Sequence, residues 1–298
     1  MSLPAHAAPR HQSNGLAGVA LGVVSVAVGI MPWLASGGIL PLQNLWTDGT
    51  LPNEMPFALL PVSQYYAVTM FVLLLLGGVF AGLARRAFAR SWAAWPIGLG
   101  VLIGHIVVVV QSFVADAKGL DLGDARAVLY LGGLIGIAVV GILVAQLAFW
   151  MCTARSTGVA ALGTALAAVP FANWVGLWVN DAAGISGAPE WILLALRWLP
   201  AVVVGLALVW CGLRPPVRLI VWLVSLGALW LVPAAFGAVQ YGLGMRVLQG
   251  DIAEMMQASA QVFPQMLAVE WMPVVVAAGI AAVGTALRAV IGRNRAEA

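Results

Sequence analysis

Long apolar segments recur along the chain and are separated by shorter polar stretches. Each contains about 20 mostly apolar residues, the length that a helix needs to cross the hydrocarbon core of a bilayer. Eight segments qualify, near residues 15–36, 65–84, 92–114, 127–150, 157–179, 191–212, 218–240 and 271–290. Because lipid does not tolerate irregular exposed backbone, the pattern predicts an all-α polytopic bundle of about eight transmembrane helices. We expect residues 1–298 to form a single integral membrane domain.

The composition supports a protein surrounded by lipid. Apolar residues make up 62% of the 298 positions and charged residues only 8%, against about 25% charged residues in an average soluble protein. This number of charges is too small to cover a water-facing surface of this size. We therefore expect the lipid bilayer to be the main partner. The net charge of +3 comes from scattered residues that form no basic run, which argues against a nucleic-acid partner.

The first apolar segment resembles a signal peptide only in part. Arg10 precedes it, as a positive flank would, but its apolar stretch is longer than the 7–15 residues of a signal-peptide core. We therefore expect a retained membrane anchor.

The basic residues predict the orientation. With the amino terminus in the cytoplasm, ten arginines lie in cytoplasmic segments and three basic residues lie outside, namely Lys118, Arg126 and Arg246. This asymmetry follows the positive-inside rule. We predict a multi-pass protein of the cell membrane with both termini in the cytoplasm.

Two predicted outer connections are long, 37–64 and 241–270. The first is rich in proline, so we expect an irregular loop. In the second, apolar residues recur at helical spacing from Leu248 to Phe263, and Pro264 follows them. This spacing predicts an amphipathic helix over 247–262, lying in the interface or folded over the bundle.

Polar side chains inside apolar spans are the first candidates for function, because they are costly to place in lipid. The candidates for substrate binding or coupling are His105, Gln111, Gln146, Asn173 and Arg197. For His105 the alternatives are an interhelical hydrogen bond and a contact with a proton or substrate. For Arg197 they are anchoring at the interface, pairing with Asp181 or Glu190, and binding an anionic substrate.

Prolines and glycines mark further positions in the spans. Pro170 and Pro233 are predicted helix breaks, and broken helices that face substrate are common in transporters. Asn173 and Trp174 lie close to Pro170 in the sequence, so we expect a site there. The glycines within Leu131–Gly136 predict a packing face of small residues.

Metal and cofactor chemistry is not expected. His105 is the only histidine within a span, and His6 and His11 lie in the amino-terminal tail, so no set of ligands for zinc, copper or haem forms. Cys152 and Cys211 are predicted to be unpaired thiols at cytoplasmic helix ends.

Three function hypotheses remain open. The leading one is a permease-like protein, or the membrane subunit of a transport system, for a solute or lipid. The second is an outer-face enzyme that acts on a lipid-linked substrate, with Asp48 or Glu54 as the catalytic acid or base. The third is an accessory protein that docks a membrane or extracytoplasmic partner through 37–64 and 241–270.

Overall fold

The computed structural model describes residues 14–43, 45–46, 49–245 and 251–297. They form ten α-helices and no strand longer than an isolated bridge. The helices are α1 (Gly15–Ala35), α2 (Ala67–Phe88), α3 (Ala94–Ala117), α4 (Ala125–Thr153), α5 (Thr157–Leu166), α6 (Ala168–Ala183), α7 (Glu190–Cys211), α8 (Arg218–Gly244), α9 (Ile252–Val269) and α10 (Trp271–Glu297). Seven are long and apolar enough to cross a membrane, and the pair α5–α6 makes up to eight spans. The prediction of an all-α polytopic membrane protein is confirmed.

The predicted fifth span is two helices instead of one. α5 and α6 are bent by 44° relative to each other, and the break lies at Ala167. Pro170 explains its place, because a proline has no N–H to donate to the carbonyl four residues before it and its ring clashes there. That carbonyl belongs to Leu166, the last residue of α5. Pro233, the other predicted break, lies inside a continuous α8.

The first four helices pack together through close helix contacts. An added methyl group on Gly78 of α2 would lie 2.1 Å from the carbonyl oxygen of Ala145 on α4. α1 and α3 approach as closely at Gly22 and Gly100. Such approaches are typical of membrane helices, where small residues let backbones come together. The glycines predicted to form a packing face do not do so, because added methyl groups at Gly132, Gly133 and Gly136 would meet nothing within 4 Å.

The later helices form a second group, in which α5, α7, α8 and α10 share an apolar core. α6 lies between the two groups. The indole of Trp174 donates a hydrogen bond to the carbonyl oxygen of Gly29 on α1 at 2.8 Å, and its ring contacts Phe80 of α2 and stacks on Phe171. Trp174 therefore holds α6 against the first group.

One end of the bundle, here called the arginine end, carries arginines on helix carboxyl termini. Arg85 donates to the carbonyl oxygen of Thr153 at the end of α4, and Arg288 donates to that of Val209 near the end of α7. Arg86 lies 4.7 Å from the ring centre of Trp210. The last carbonyls of a helix have no donor within it, so these side chains complete the helix ends.

The opposite end, here called the loop end, is covered by the described part of residues 37–64, namely 37–43, 45–46 and 49–64, which we call the cap loop. The cap loop folds back on itself through an antiparallel bridge between Ile39 and Phe57. Leu40, Leu60 and Val62 are buried against α1–α4. The loop predicted to dock a partner therefore uses much of its apolar surface inside this chain.

The predicted amphipathic helix exists, with shifted bounds. Leu248 lies outside the described residues, and α9 continues through Pro264 to Val269. Packing on α8 sustains the helix beyond the proline, because Met266 contacts Gly237 and the indole of Trp230 donates to the carbonyl of Leu267 at 2.8 Å. α9 thus folds back along the loop-end half of α8 and runs antiparallel to it.

We predict that cysteine labelling along α9 follows a helical period set by α8. Met255 and Ser259 face Gly242 of α8, so cysteines there should react slowly. Met256, expected from the sequence on the protected face, is 68% exposed and should react fast. Equal labelling rates at positions 255, 256 and 259 would show that α9 does not pack on α8.

Candidate functional site

A cavity of about 640 Å³ lies between the two helix groups; we call it the central cavity. Its walls come from α2, α6, α7 and α8 and from the junction of α9 with α10. Polar or charged side chains in the lining are Tyr65, Tyr66, Thr69, Asn173, Asn180, Arg197, Gln240 and Glu270. Along α8 the lining extends from Gln240 near the loop end to Leu229, about 16 Å deeper at 1.5 Å per residue.

The structure brings several predicted site residues to this cavity. Asn173 and Arg197 line it from α6 and α7, and Pro233 lines it from α8. Pro170 lies one turn from Asn173, where it starts α6 after the break. Trp174 points elsewhere, toward α1 and α2.

Glu270 is the cavity residue that the sequence analysis missed, because it was counted as part of an outer loop. Helix α10 runs parallel to α7, with Ile280 against Gly205 and Gly284 against Val209. If the same pairing of positions continues toward the start of α10, Glu270 lies at about the level of Arg197 on α7. Arg197 itself lies about 10 Å along α7 from Glu190. Its side chain is exposed, and that of Glu270 is half-buried.

Arg197 and Glu270 have no ion-pair partner among the described residues, where the one salt bridge joins Arg126 to Asp124. Neither Asp181 nor Glu190, the partners considered for Arg197, lies within ion-pair distance. The contact found for the Arg197 guanidinium is with the adjacent Trp198 ring, 5.9 Å to its centre. Two opposite charges therefore face one cavity without neutralising each other.

Prolines add backbone acceptors to the same walls. Pro200 and Pro233 lie inside α7 and α8 and cannot donate to the carbonyls of Leu196 and Leu229. Both leucines line the cavity. The cavity thus combines a cation, an anion, side-chain amides and carbonyls that lack their usual helical donor.

Two hydrogen bonds tie the helix groups together at the loop end of the cavity. The Gln240 amide donates to the carbonyl oxygen of Tyr65 at 2.6 Å. The Gln64 amide donates to that of Leu243 at 3.0 Å. Residues 64–66 precede α2, so these bonds join the start of α2 to the end of α8.

Gln111 and Gln146 have packing roles away from the cavity. The Gln111 amide holds the cap loop, accepting from the Leu59 N–H at 2.8 Å and donating to the Phe57 carbonyl at 3.0 Å. The Gln146 amide donates to the carbonyl of Gly98 on α3 at 3.1 Å. Both side chains therefore bind backbone groups of neighbouring elements.

His105 is 0% exposed and lies on the buried face of α3. It packs beside Gly77 of α2, where an added methyl group would lie 2.9 Å from its Nε2 atom. Neither ring nitrogen has a partner with hydrogen-bond geometry among the described residues. Buried polar groups without a hydrogen-bond partner are uncommon in proteins, which makes His105 a candidate for function.

We predict that His105→Gln preserves expression and flattens the pH dependence of activity, because glutamine forms hydrogen bonds but does not titrate near neutral pH. The measurement is activity against pH in reconstituted vesicles, with Gln146→Asn as the control for a buried polar change. A wild-type pH profile in the His105 variant would assign the residue to packing alone.

Asp116 is a second buried polar group, and it lies just beyond the predicted third span, 92–114. It lies in the last turn of α3 and is 0% exposed, and neither carboxylate oxygen has a hydrogen-bond partner among the described residues. Eleven residues separate it from His105, which is three helical turns, so both share one face of α3. That spacing is the signal that would have found it.

Of the two candidate catalytic residues of the enzyme hypothesis, the structure describes Glu54. Glu54 is exposed, and its carboxylate accepts a hydrogen bond from the Leu51 N–H at 3.2 Å, which caps a short 3₁₀ turn. Asp48 lies outside the described residues. Within the described ranges, no three His, Cys, Asp or Glu side chains group as metal ligands would.

Comparison with protein-family models, curated proteins and solved structures finds no match for this chain.

Proposed function

We propose that this protein is a small permease-like membrane protein, or the membrane subunit of a transport system, whose solute binds in the central cavity. One observation carries the proposal. Arg197, Glu270 and Asn173 come from distant parts of the sequence, yet they line one cavity inside a bundle of apolar helices. Charged residues among membrane-spanning helices are rare, and they mark substrate or ion sites more often than other positions do.

The helix geometry supports a transport role. Transporters commonly bind solute where helices are interrupted, and one part of the bundle then moves against the other. Here the α5–α6 break lies next to the cavity wall, and a few side-chain bonds such as Gln240 to Tyr65 join the two helix groups at the loop end. We infer that breaking these bonds opens the cavity.

The test is uptake by proteoliposomes. Vesicles containing the purified protein are incubated with a defined mixture of amino acids, monocarboxylates, primary amines and polyols, and their contents are measured by mass spectrometry. We expect at least one class to enter faster than into protein-free vesicles. The absence of uptake for all four classes, with turnover of an added lipid-linked sugar, would favour the outer-face enzyme instead.

We further propose that the arginine end faces the cytoplasm of a cell membrane. Reporter fusions at Arg86, Arg155 and Arg214 should report a cytoplasmic location, because arginines are retained on that side. Fusions at Asp121 and Ala183 should report an external one, and Gln257 in α9 should agree with them. A reproducible reversal at any of these sites would contradict the orientation.

A further inference from the structure

The charges of the central cavity indicate which ligands fit it. Arg197 and Glu270 are its only charged lining residues, so the lining as described carries one positive and one negative charge. A purely anionic ligand would leave the Glu270 carboxylate without a partner of opposite charge. A purely cationic ligand would leave the Arg197 guanidinium without one. A ligand that carries both charges gives each side chain a partner of opposite charge.

Arg197 and Glu270 are also held apart. Their charged groups are not within the 4.0 Å of an ion pair, and no hydrogen bond to either side chain forms within the described chain. They sit on separate elements, α7 and the α9–α10 junction, at a similar depth. A ligand that contacts both therefore needs two opposite charges.

The remaining lining suits the uncharged part of such a ligand. Asn173 and Asn180 offer both donors and acceptors, and Phe236 and Leu196 provide apolar surface. A guanidinium favours carboxylate or phosphate because it donates two parallel hydrogen bonds to them. A carboxylate such as Glu270 accepts hydrogen bonds from an ammonium group.

We propose that the central cavity binds an amphoteric ligand, with its carboxylate or phosphate on Arg197 and its ammonium group on Glu270. The role of this ligand in transport rests on the proposed function, whereas its binding can be tested separately. Two sources carry this chemistry, a free amino acid and the phosphoethanolamine headgroup of a lipid. The experiment separates them.

The test compares ligands that differ by one charge. Purified protein in detergent is heated with alanine, leucine or phenylalanine, and with the same compounds lacking either the amino group or the carboxylate. Binding raises the unfolding temperature as the ligand concentration exceeds its Kd. We expect at least one amino acid to bind about tenfold or more tightly than both of its singly charged analogues, as one lost charge contact implies.

A second arm uses phosphatidylcholine nanodiscs with and without phosphatidylethanolamine; stabilisation in this arm alone assigns the ligand to the lipid.

Variants identify the contacts. Glu270→Gln should abolish the preference for the amino acid over its des-amino analogue. Arg197→Gln should weaken the binding of both compounds. Glu254→Gln, on the exposed start of α9, is the matched control and should keep the wild-type preference. In the lipid arm, Arg197→Gln and Glu270→Gln should each remove the stabilisation by phosphatidylethanolamine.

The proposal is overturned if singly charged analogues bind as tightly as amino acids, if Glu270→Gln keeps the preference, or if neither arm shows binding. If amino acids bind more tightly than their singly charged analogues but do not enter vesicles, the permease proposal is wrong and the proposed ligand class is retained. Uptake without the preference would refute only the ligand class.

Discussion

Replacing Arg197 by alanine is expected to reduce uptake through the central cavity by about tenfold to a hundredfold. Hydrogen bonds to charged groups contribute about 1.5–3 kcal/mol, and each 1.4 kcal/mol is a factor of ten in binding. Arg197→Lys should keep part of the activity, because it retains the charge and loses the paired donors. Initial uptake rates in proteoliposomes, normalised to folded protein, measure the effect.

Arg126→Ala is the control for this prediction. Arg126 is exposed and pairs with Asp124 at 2.7 Å, and its hydrogen bonds hold the pKa of the Asp124 carboxyl below its usual range. Its removal at the loop end should leave uptake near the wild-type rate. If Arg197→Ala matches wild type in yield and uptake, Arg197 only anchors its helix at the interface.

Replacing Gly78 by alanine should lower stability strongly. Its new methyl carbon would lie 2.1 Å from the Ala145 carbonyl oxygen, so α2 and α4 must separate along their contact. Overpacking costs about 1–3 kcal/mol in a well-packed core, and the lost contacts between these helices add to it. We expect a lower unfolding temperature in detergent, or little folded protein.

Gly132→Ala is the matched substitution on α4. Its methyl group would meet nothing within 4 Å, and alanine is favoured over glycine in a helix by about 1 kcal/mol. The unfolding temperature of this variant should equal or exceed that of wild type. Equal losses in both variants would contradict the close packing of α2 on α4.

The spans could be predicted because their length and hydropathy are local properties. Predicted segments such as 191–212 and 218–240 agree with α7 and α8 to within a few residues. Pro170 also marked the break in the fifth span. The continuation of α9 beyond Pro264 could not be predicted, since it depends on contacts with Gly237 and Trp230 of another helix.

The site could be predicted only in part, because it too depends on contacts between helices. A polar residue in an apolar span is visible in the sequence, but the direction of its side chain depends on the neighbouring helices. Asn173 and Arg197 face the cavity, whereas Gln111 and Gln146 bind backbone groups. Glu270 seemed to be a loop residue until the packing of α9 and α10 placed it beside the cavity.

Blocking the cavity with a single cysteine tests the central claim most directly. Gly176 lines the central cavity and has open space around an added side chain, and Gly132 has open space but faces away from the cavity. The native Cys152 and Cys211 are buried and unpaired, so a thiol reagent should react mainly with the introduced residue. After modification with a bulky maleimide, proteoliposomes with Gly176→Cys should lose uptake, and those with Gly132→Cys should retain it. Full uptake after complete modification of the Gly176 variant would show that solute does not pass through this cavity.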